Sequence, residues 1–85
     1  TADGTMKGYT YDVKSTQHEF GKLLATLKEN RDVDMYIMCL TPDRWTVKIV
    51  GWCWKKELIN DKNIQDLGYG RGYALEQNQL RTFKN

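Results

Sequence analysis

The chain has 85 residues, of which 40% are hydrophobic and 12% aromatic, with 13 basic residues against 11 acidic ones. This length leaves room for one domain with a modest core, and the aromatic content argues against disorder. A net charge of +2 excludes a strongly basic or strongly acidic tail, so any contact with phosphate must come from local placement of Lys and Arg. No apolar run approaches the roughly 20 residues of a membrane span, so no membrane partner is expected.

The first third of the chain contains one clear strand and one ambiguous segment. Residues 6–15 alternate like a strand, which places Tyr11 and Val13 on a face that we expect to be the core. Residues 20–28 fit two patterns, because their apolar residues have helical spacing and also alternate at positions 23, 25 and 27. Helix formers favour a helix there, and both alternatives stay open.

The most clearly predicted element is a hairpin over residues 33–52. Residues 33–40 are apolar at nearly every position, which indicates a central strand covered on both faces. A turn at residues 41–44, which contains Pro42, leads to a return strand over residues 45–52. The alternation of that strand predicts that Trp45 and Trp52 are packed in the core.

The last third of the chain predicts short elements. Residues 55–60 are typical of one or two turns of helix, and residues 67–72 form a Gly-rich loop. Residues 73–75 are expected to be a closing strand, and residues 80–83 either another strand or an extended tail. The two cysteines, Cys39 and Cys53, lie in apolar stretches and are expected to be reduced core thiols of a cytoplasmic protein.

The pattern with the most chemistry is Asp12-Val13-Lys14. Two residues apart on one strand, Asp12 and Lys14 share a face, where a carboxylate can bind a divalent cation and an ammonium group can offset charge on a phosphate. A hairpin through residues 4–8 would return Asp3 to the side of Asp12. With the backbone carbonyl of Val13, these two carboxylates would form an oxygen-ligand site suited to Mg²⁺. Taken alone, an Asp-x-Lys tripeptide on an exposed strand is more often a solvated ion pair.

Several motifs of this sequence resemble those of one nuclease family. Ala2-Asp3-Gly4 followed by Tyr11-Asp12-Val13-Lys14-Ser15-Thr16 resembles the signature of the PD-(D/E)XK nuclease superfamily, the restriction-endonuclease-like fold. In that family a first Asp precedes a hairpin, and an acid-x-Lys motif follows on the next strand. The resemblance matches Asp3 with the first Asp, Asp12 with the second acid and Lys14 with the lysine. The segments 33–37, 47–52 and 66–80 also resemble small phage and bacterial members, so the resemblance covers most of the chain.

The resemblance implies a mixed α/β (α+β) fold, with a central mixed sheet and flanking helices. Residues 1–85 would form a single nuclease-like domain, the C-terminal part of a longer chain if the family's first helix precedes it. This chain leaves no room for that N-terminal helix, so the helix lies on a missing upstream segment or the protein is a degenerate or assembled version. Because so small a chain needs extra buried surface, a homodimer is the other expected partner.

The implied function is that of a metal-dependent endonuclease that hydrolyses DNA phosphodiester bonds in a bacterium or a phage-infected host cell. Mg²⁺ (or Mn²⁺) would be held by Asp3, Asp12 and the carbonyl of Val13. Lys14 would position the attacking water or offset developing negative charge. The alternative is a non-catalytic module with a nuclease-like fold that binds nucleic acid or another protein.

Further residues are candidates for contacts with nucleic acid through hydrogen bonds, charge or base stacking. They are Ser15, Thr16, Gln17, Trp54, Lys55, Lys56 and Arg71. For each of the three polar residues after Lys14, a solvated loop position is the competing interpretation. His18 as an acid–base helper and Glu19 as a third carboxylate compete with ordinary surface positions in the same way.

Overall fold

The computed structural model describes residues 4–28 and 32–83, which form two β-sheets and a few short helical turns. The strands in chain order are β1 (Gly4–Met6), β2 (Tyr9–Thr16), β3 (Leu23–Thr26), β4 (Met35–Leu40), β5 (Lys48–Trp54), β6 (Ile64–Asp66) and β7 (Arg71–Leu75). The predicted mixed α+β class is confirmed. The predicted flanking helices are wrong for the described residues, where the one α-helix, α1 (Lys55–Leu58), has four residues and the other turns are 3₁₀.

The larger sheet has four strands in the order β1-β2-β4-β5. β1 and β2 are antiparallel, β2 and β4 are parallel, and β4 and β5 are antiparallel, so the sheet is mixed as predicted. β2 therefore lies between two partners, and the Asp-x-Lys motif is carried by an interior strand of the sheet.

A two-residue turn joins β1 to β2. Lys7 and Gly8 both have positive φ angles, 52° and 86°, which is the backbone of a type I′ hairpin turn. Gly4 pairs with Tyr11, and a Cβ atom on Gly4 would lie 2.5 Å from the Tyr11 hydroxyl oxygen. A glycine is therefore needed at position 4 for the tyrosine ring to lie across the first strand.

The second sheet contains three antiparallel strands in the order β3-β7-β6. The ambiguous segment 20–28 contains strand β3, so its helical alternative is wrong. Leu23 and Ala25 are buried, whereas Leu24 and Thr26 are exposed. Pairing with β7 explains this result, because a strand in a sheet buries alternate residues on one face, here Leu23 and Ala25. Phe20 precedes the strand and is 88% exposed.

The core lies between the two sheets. It consists of Leu23, Ala25, Val33, Tyr36, Met38, Cys53, Leu58, Leu75 and Leu80. We call the side of the four-stranded sheet that faces this core the inner face, and the opposite side the outer face. A second, smaller cluster on the outer face consists of Met35, Ile37 and Cys39, packed against Tyr11, Trp52 and Trp54. All six residues of β4 are thus buried, as predicted for a central strand.

The predicted hairpin over residues 33–52 is confirmed as β4 and β5, with one correction. The return strand begins at Lys48, and Trp45 is 88% exposed, so its predicted core position is wrong. The Asp43 carboxylate accepts hydrogen bonds from the Trp45 N–H at 2.8 Å and the Thr46 hydroxyl at 3.2 Å. These bonds fold residues 43–46 into a turn, which keeps Trp45 out of the strand.

The remaining predictions also have clear outcomes. The short helix is present as α1 and the closing strand as β7, whereas residues 80–83 contribute a single bridge between Arg81 and Trp52. Cys39 and Cys53 are both buried free thiols. None of the helices within residues 4–28 and 32–83 has the length and apolar character needed to cross a membrane.

Candidate functional site

Asp12 and Lys14 come together on the inner face of β2. The Asp12 Oδ2 and Lys14 Nζ atoms are 3.5 Å apart, which confirms that the two side chains share a face. Asp12 is 3% exposed, and the Lys14 side chain is 26% exposed, so the carboxylate lies under the ammonium group. This is a largely desolvated ion pair with one charged end open to water.

Tyr36 completes the packing around this pair. It is opposite Asp12 in the register of β2 and β4, and it is completely buried. The Lys14 ammonium group lies 5.9 Å from the centre of the Tyr36 ring, within the range of a cation–π contact. The carboxylate and the ring together hold the lysine head group in one position.

The strand faces are the reverse of the sequence-based assignment. Val13, which was expected to point into the core, is 40% exposed on the outer face, and Asp12 is the buried residue. The reason is that the three-stranded sheet covers the side of β2 that carries Asp12. The role of the Val13 backbone carbonyl as a metal ligand does not depend on the side chain, and it stays a prediction.

A small cleft of about 140 Å³ opens beside Lys14. Thr16 and Lys22 line it together with Lys14, and its apolar wall comes from β3 and Met38. The Lys22 ammonium group donates a hydrogen bond to the Gln65 side-chain oxygen at 3.1 Å. Two lysines and a hydroxyl group at one cleft suit a small anion such as a phosphate group.

Sequence reasoning missed Lys22. Lys22 could have been proposed only if residues 20–28 had been predicted as a strand. Lys22 directly precedes β3, and β3 contacts β2. Of the predicted polar contacts, Ser15 and Thr16 line the cleft, whereas Gln17, His18 and Glu19 are exposed in the following turn.

One predicted ligand is beyond the described part of the structure. Asp3 lies outside residues 4–28 and 32–83, so its position relative to Asp12 stays a prediction. Within those residues no group of three or more His, Cys, Asp or Glu side chains could hold a metal ion. Asp12 is the carboxylate that the described part of the chain places beside Lys14.

Trp54, Lys55 and Lys56 do lie together, at a separate cavity. This cavity of about 530 Å³ is also lined by Tyr9 and Asp34, and none of the described residues lines both this cavity and the cleft at Lys14. The other predicted contact, Arg71, is exposed at the start of β7 and lines neither space.

An ion pair flanks the tryptophans of β5. Arg81 donates a hydrogen bond to Glu57, and its guanidinium group lies 5.2 Å from the Trp52 ring. Glu57 also accepts the Trp54 N–H at 2.8 Å, and the hydrogen bond from Arg81 is the main reason that its pKa lies below the usual range. On the opposite face of β5, burial raises the pKa of the Cys53 thiol to about 12, which keeps it protonated and unreactive.

Comparison with known proteins leaves the resemblance stated above as a prediction. No family model, curated protein or solved structure matches this chain.

Proposed function

We propose that this chain is a Mg²⁺-dependent nuclease domain with a restriction-endonuclease-like core that hydrolyses DNA phosphodiester bonds. The observation that carries the proposal is the Asp12–Lys14 pair, with 3.5 Å between the charged atoms, at the edge of an anion-sized cleft. An acid and a lysine held this way on one strand are the side chains that metal-assisted phosphoryl transfer uses.

The connections of the four-stranded sheet support the proposal. In the nuclease family that the sequence resembles, a hairpin separates the first acid from the acid-x-Lys strand. Here β1 and β2 form that hairpin, with a turn at Lys7 and Gly8, and β2 carries Asp12 and Lys14.

The residues at this site fit a magnesium ion by their chemistry. Mg²⁺ is commonly held by one or two carboxylates, with water and substrate phosphate filling the other positions. Asp12 and the Val13 carbonyl are oxygen donors of this kind, and the resemblance to the nuclease family implies Asp3 as the second acid. Bound there, Mg²⁺ would supply positive charge at the phosphate oxygens.

The chain's own residues have defined tasks in this proposal. The Asp12 carboxylate and the Tyr36 ring orient the Lys14 ammonium group, which then stabilises negative charge that develops on the phosphate. Lys22 lies on the same cleft and adds a second positive charge for the bound phosphodiester. The Thr16 oxygen accepts the His18 N–H at 3.1 Å, which leaves its hydroxyl proton available to a phosphate oxygen.

A second candidate function is non-catalytic binding of nucleic acid or protein. The observation that favours it is the 3% exposure of Asp12, which leaves little of the carboxylate open to a metal ion. Such a module would use the surface cations and aromatic rings and would leave the Asp12–Lys14 pair as a structural element.

A cleavage assay separates these two functions. The protein is incubated with supercoiled plasmid DNA in Mg²⁺, in Mn²⁺ and in a chelator, and nicked and linear products are measured. We expect metal-dependent cleavage that falls by about 100-fold or more in Asp12→Asn and in Lys14→Gln, since one electrostatic contact to the transition state is worth that much.

Matched variants make the result specific. Asp61→Asn and Lys62→Gln change one exposed acid and one exposed lysine away from the cleft, and they should cleave like the unmodified protein. Thermal melting of every variant shows that the fold is intact. DNA binding without cleavage in either metal would reject the nuclease proposal and support the non-catalytic module.

A further inference from the structure

The strongest unassigned feature is an aromatic groove on the outer face of the four-stranded sheet. Two cavities, of about 530 Å³ and 420 Å³, share Tyr9 and Trp54 as common lining residues. Trp52 and Phe83 line the second cavity, so four aromatic residues follow one another along this surface. Each cavity is large enough for a planar ring of the size of a nucleobase.

The rings in the groove are held by one another. The Tyr9 and Trp54 ring centres are 5.0 Å apart and so are those of Trp52 and Trp54, both in edge-to-face contact. Phe83 follows at 6.4 Å from Trp52. Tyr9 remains 48% exposed despite these contacts, so a held ring still presents apolar area to solvent.

Positive charge borders this groove. Lys55 and Lys56 line the larger cavity and Lys7 lines the smaller one, and among the described residues Asp34 is the one acidic residue that lines them. The Asp34 carboxylate accepts hydrogen bonds from the Thr10 N–H at 2.9 Å and the Thr10 hydroxyl at 3.2 Å. The described lining of the groove carries more positive than negative charge, which favours an anion.

We propose that the aromatic groove binds single-stranded nucleic acid, with bases against Tyr9 and Trp54 and phosphates beside Lys7, Lys55 and Lys56. Aromatic rings with adjacent cations are the general means of holding an unpaired strand, because every base has a face that can stack. Bases in a duplex are stacked on each other and cannot enter such a groove. The inference goes beyond the proposed cleavage, since the groove lies on the other face of the sheet from Asp12 and Lys14.

The charge on the groove also argues against a second copy of this chain as its occupant. Two copies meeting through this surface would bring the lysines around the groove together, and like charges at an interface cost affinity. A polyanion with exposed aromatic bases satisfies both the cations and the rings.

The test is a binding titration without divalent metal. A fluorescein-labelled single strand of about 12 nucleotides, as DNA and as RNA, is titrated in chelator at about 50 mM salt. We expect binding at least about ten-fold tighter than that of a duplex of equal length, and a loss of about ten-fold in Tyr9→Ala with little change in Tyr9→Phe. Lys55→Gln combined with Lys56→Gln should reduce the slope of log affinity against log salt by about 1.4.

Trp45→Ala is the matched control, because Trp45 is an exposed aromatic residue outside both cavities, and it should bind like the unmodified protein. Equal affinity for duplex and single strand would overturn the inference, as would unchanged binding by a folded Tyr9→Ala variant. A dimer in sedimentation velocity that Tyr9→Ala dissociates would also overturn it, by assigning the groove to self-association. Binding without cleavage would reject the nuclease proposal alone, and cleavage with unchanged Tyr9→Ala binding would reject this inference alone.

Discussion

The two faces of the four-stranded sheet differ in what covers them. On the inner face, the three-stranded sheet buries Tyr36, Met38 and Cys53, and it also buries Asp12. On the outer face, aromatic residues cluster at the surface, and Tyr9 and Val13 are 48% and 40% exposed. The polar row of a strand can therefore be its buried row, as it is at Asp12. Which side chains of a strand are buried depends on the layer that packs against it. The alternation of polar and apolar residues along the strand does not decide this alone.

Truncation of a core leucine tests the packing of the inner layer and should have the largest effect on stability. Leu23→Ala removes a side chain that is 1% exposed and belongs to the core between the sheets, and we expect a loss of about 3 kcal/mol in the free energy of unfolding. Leu24→Ala on the same strand is the control, because Leu24 is 36% exposed and should cost less than about 1 kcal/mol. Urea unfolding measures both. Equal losses would mean that the three-stranded sheet does not pack as described.

The second effect concerns the charged pair inside that layer. A double-mutant cycle with Asp12→Asn and Lys14→Met should give a coupling of about 1–3 kcal/mol, since the carboxylate is almost fully desolvated. An exposed ion pair would typically give less than about 1 kcal/mol. Urea unfolding of the two single variants and the double variant supplies the coupling. A value near zero would show that the pair is solvated and that the inner face is open at Asp12.

The reaction rates of the two cysteine thiols compare the accessibility of the two faces. Cys53 points to the inner core and is 1% exposed, whereas Cys39 belongs to the outer cluster and is 8% exposed. Burial raises the pKa of both thiols, and that of Cys53 to about 12. We expect Cys39 to react with a disulfide reagent at least about ten-fold faster than Cys53, because less local unfolding is needed to expose Cys39 to the reagent. Mass spectrometry of Cys39→Ser and Cys53→Ser assigns each rate, and a faster Cys53 would contradict the assignment of the faces.

Much of this fold could be predicted from local patterns. The apolar run before Leu40 predicts a central strand, and the Gly-containing turn between β1 and β2 predicts a hairpin, because both depend on nearest neighbours along the chain. The shared face of Asp12 and Lys14 follows from strand geometry alone. The sequence did not reveal that β3 and β7 form a second sheet, because pairing between residues about 50 positions apart leaves no local pattern.

The errors at the candidate site arose because the second sheet was not predicted. Without β3 as a strand, nothing indicated that Lys22 lies on the cleft beside Lys14 or that Asp12 is the covered residue. Trp45 was misplaced for a local reason, since the hydrogen bonds of Asp43 favour a turn over continued alternation. Tyr9 and Phe83 line the same aromatic groove although they lie near opposite ends of the described chain. The spacing of residues along the sequence cannot predict such a contact.

The smallest expected effect concerns an ion pair beside the aromatic groove. Hydrogen bonding from Arg81 lowers the pKa of Glu57, so the folded state binds the Glu57 proton more weakly than the unfolded chain does. A group with a lowered folded pKa contributes stability above its unfolded pKa of about 4.3, and that contribution is lost as the pH falls through the folded value. Glu57→Gln keeps an oxygen that can accept the Trp54 N–H and removes only the charge.

We therefore expect Glu57→Gln to be less stable than the unmodified protein by about 0.5 kcal/mol at pH 7, a value already reduced for solvent screening because the Glu57 and Arg81 side chains are 32% and 45% exposed. The gap should close below about pH 4, where the unmodified protein loses the same charge, and it should shrink at about 1 M salt. Urea unfolding at several pH values measures this difference, with Glu19→Gln, at an exposed glutamate in the turn after β2, as the control. A gap that persists at low pH would mean that the glutamine packs less well than the glutamic acid and that the charge of Glu57 is not the cause. In that case the charges beside the groove would contribute nothing to the stability of the outer face.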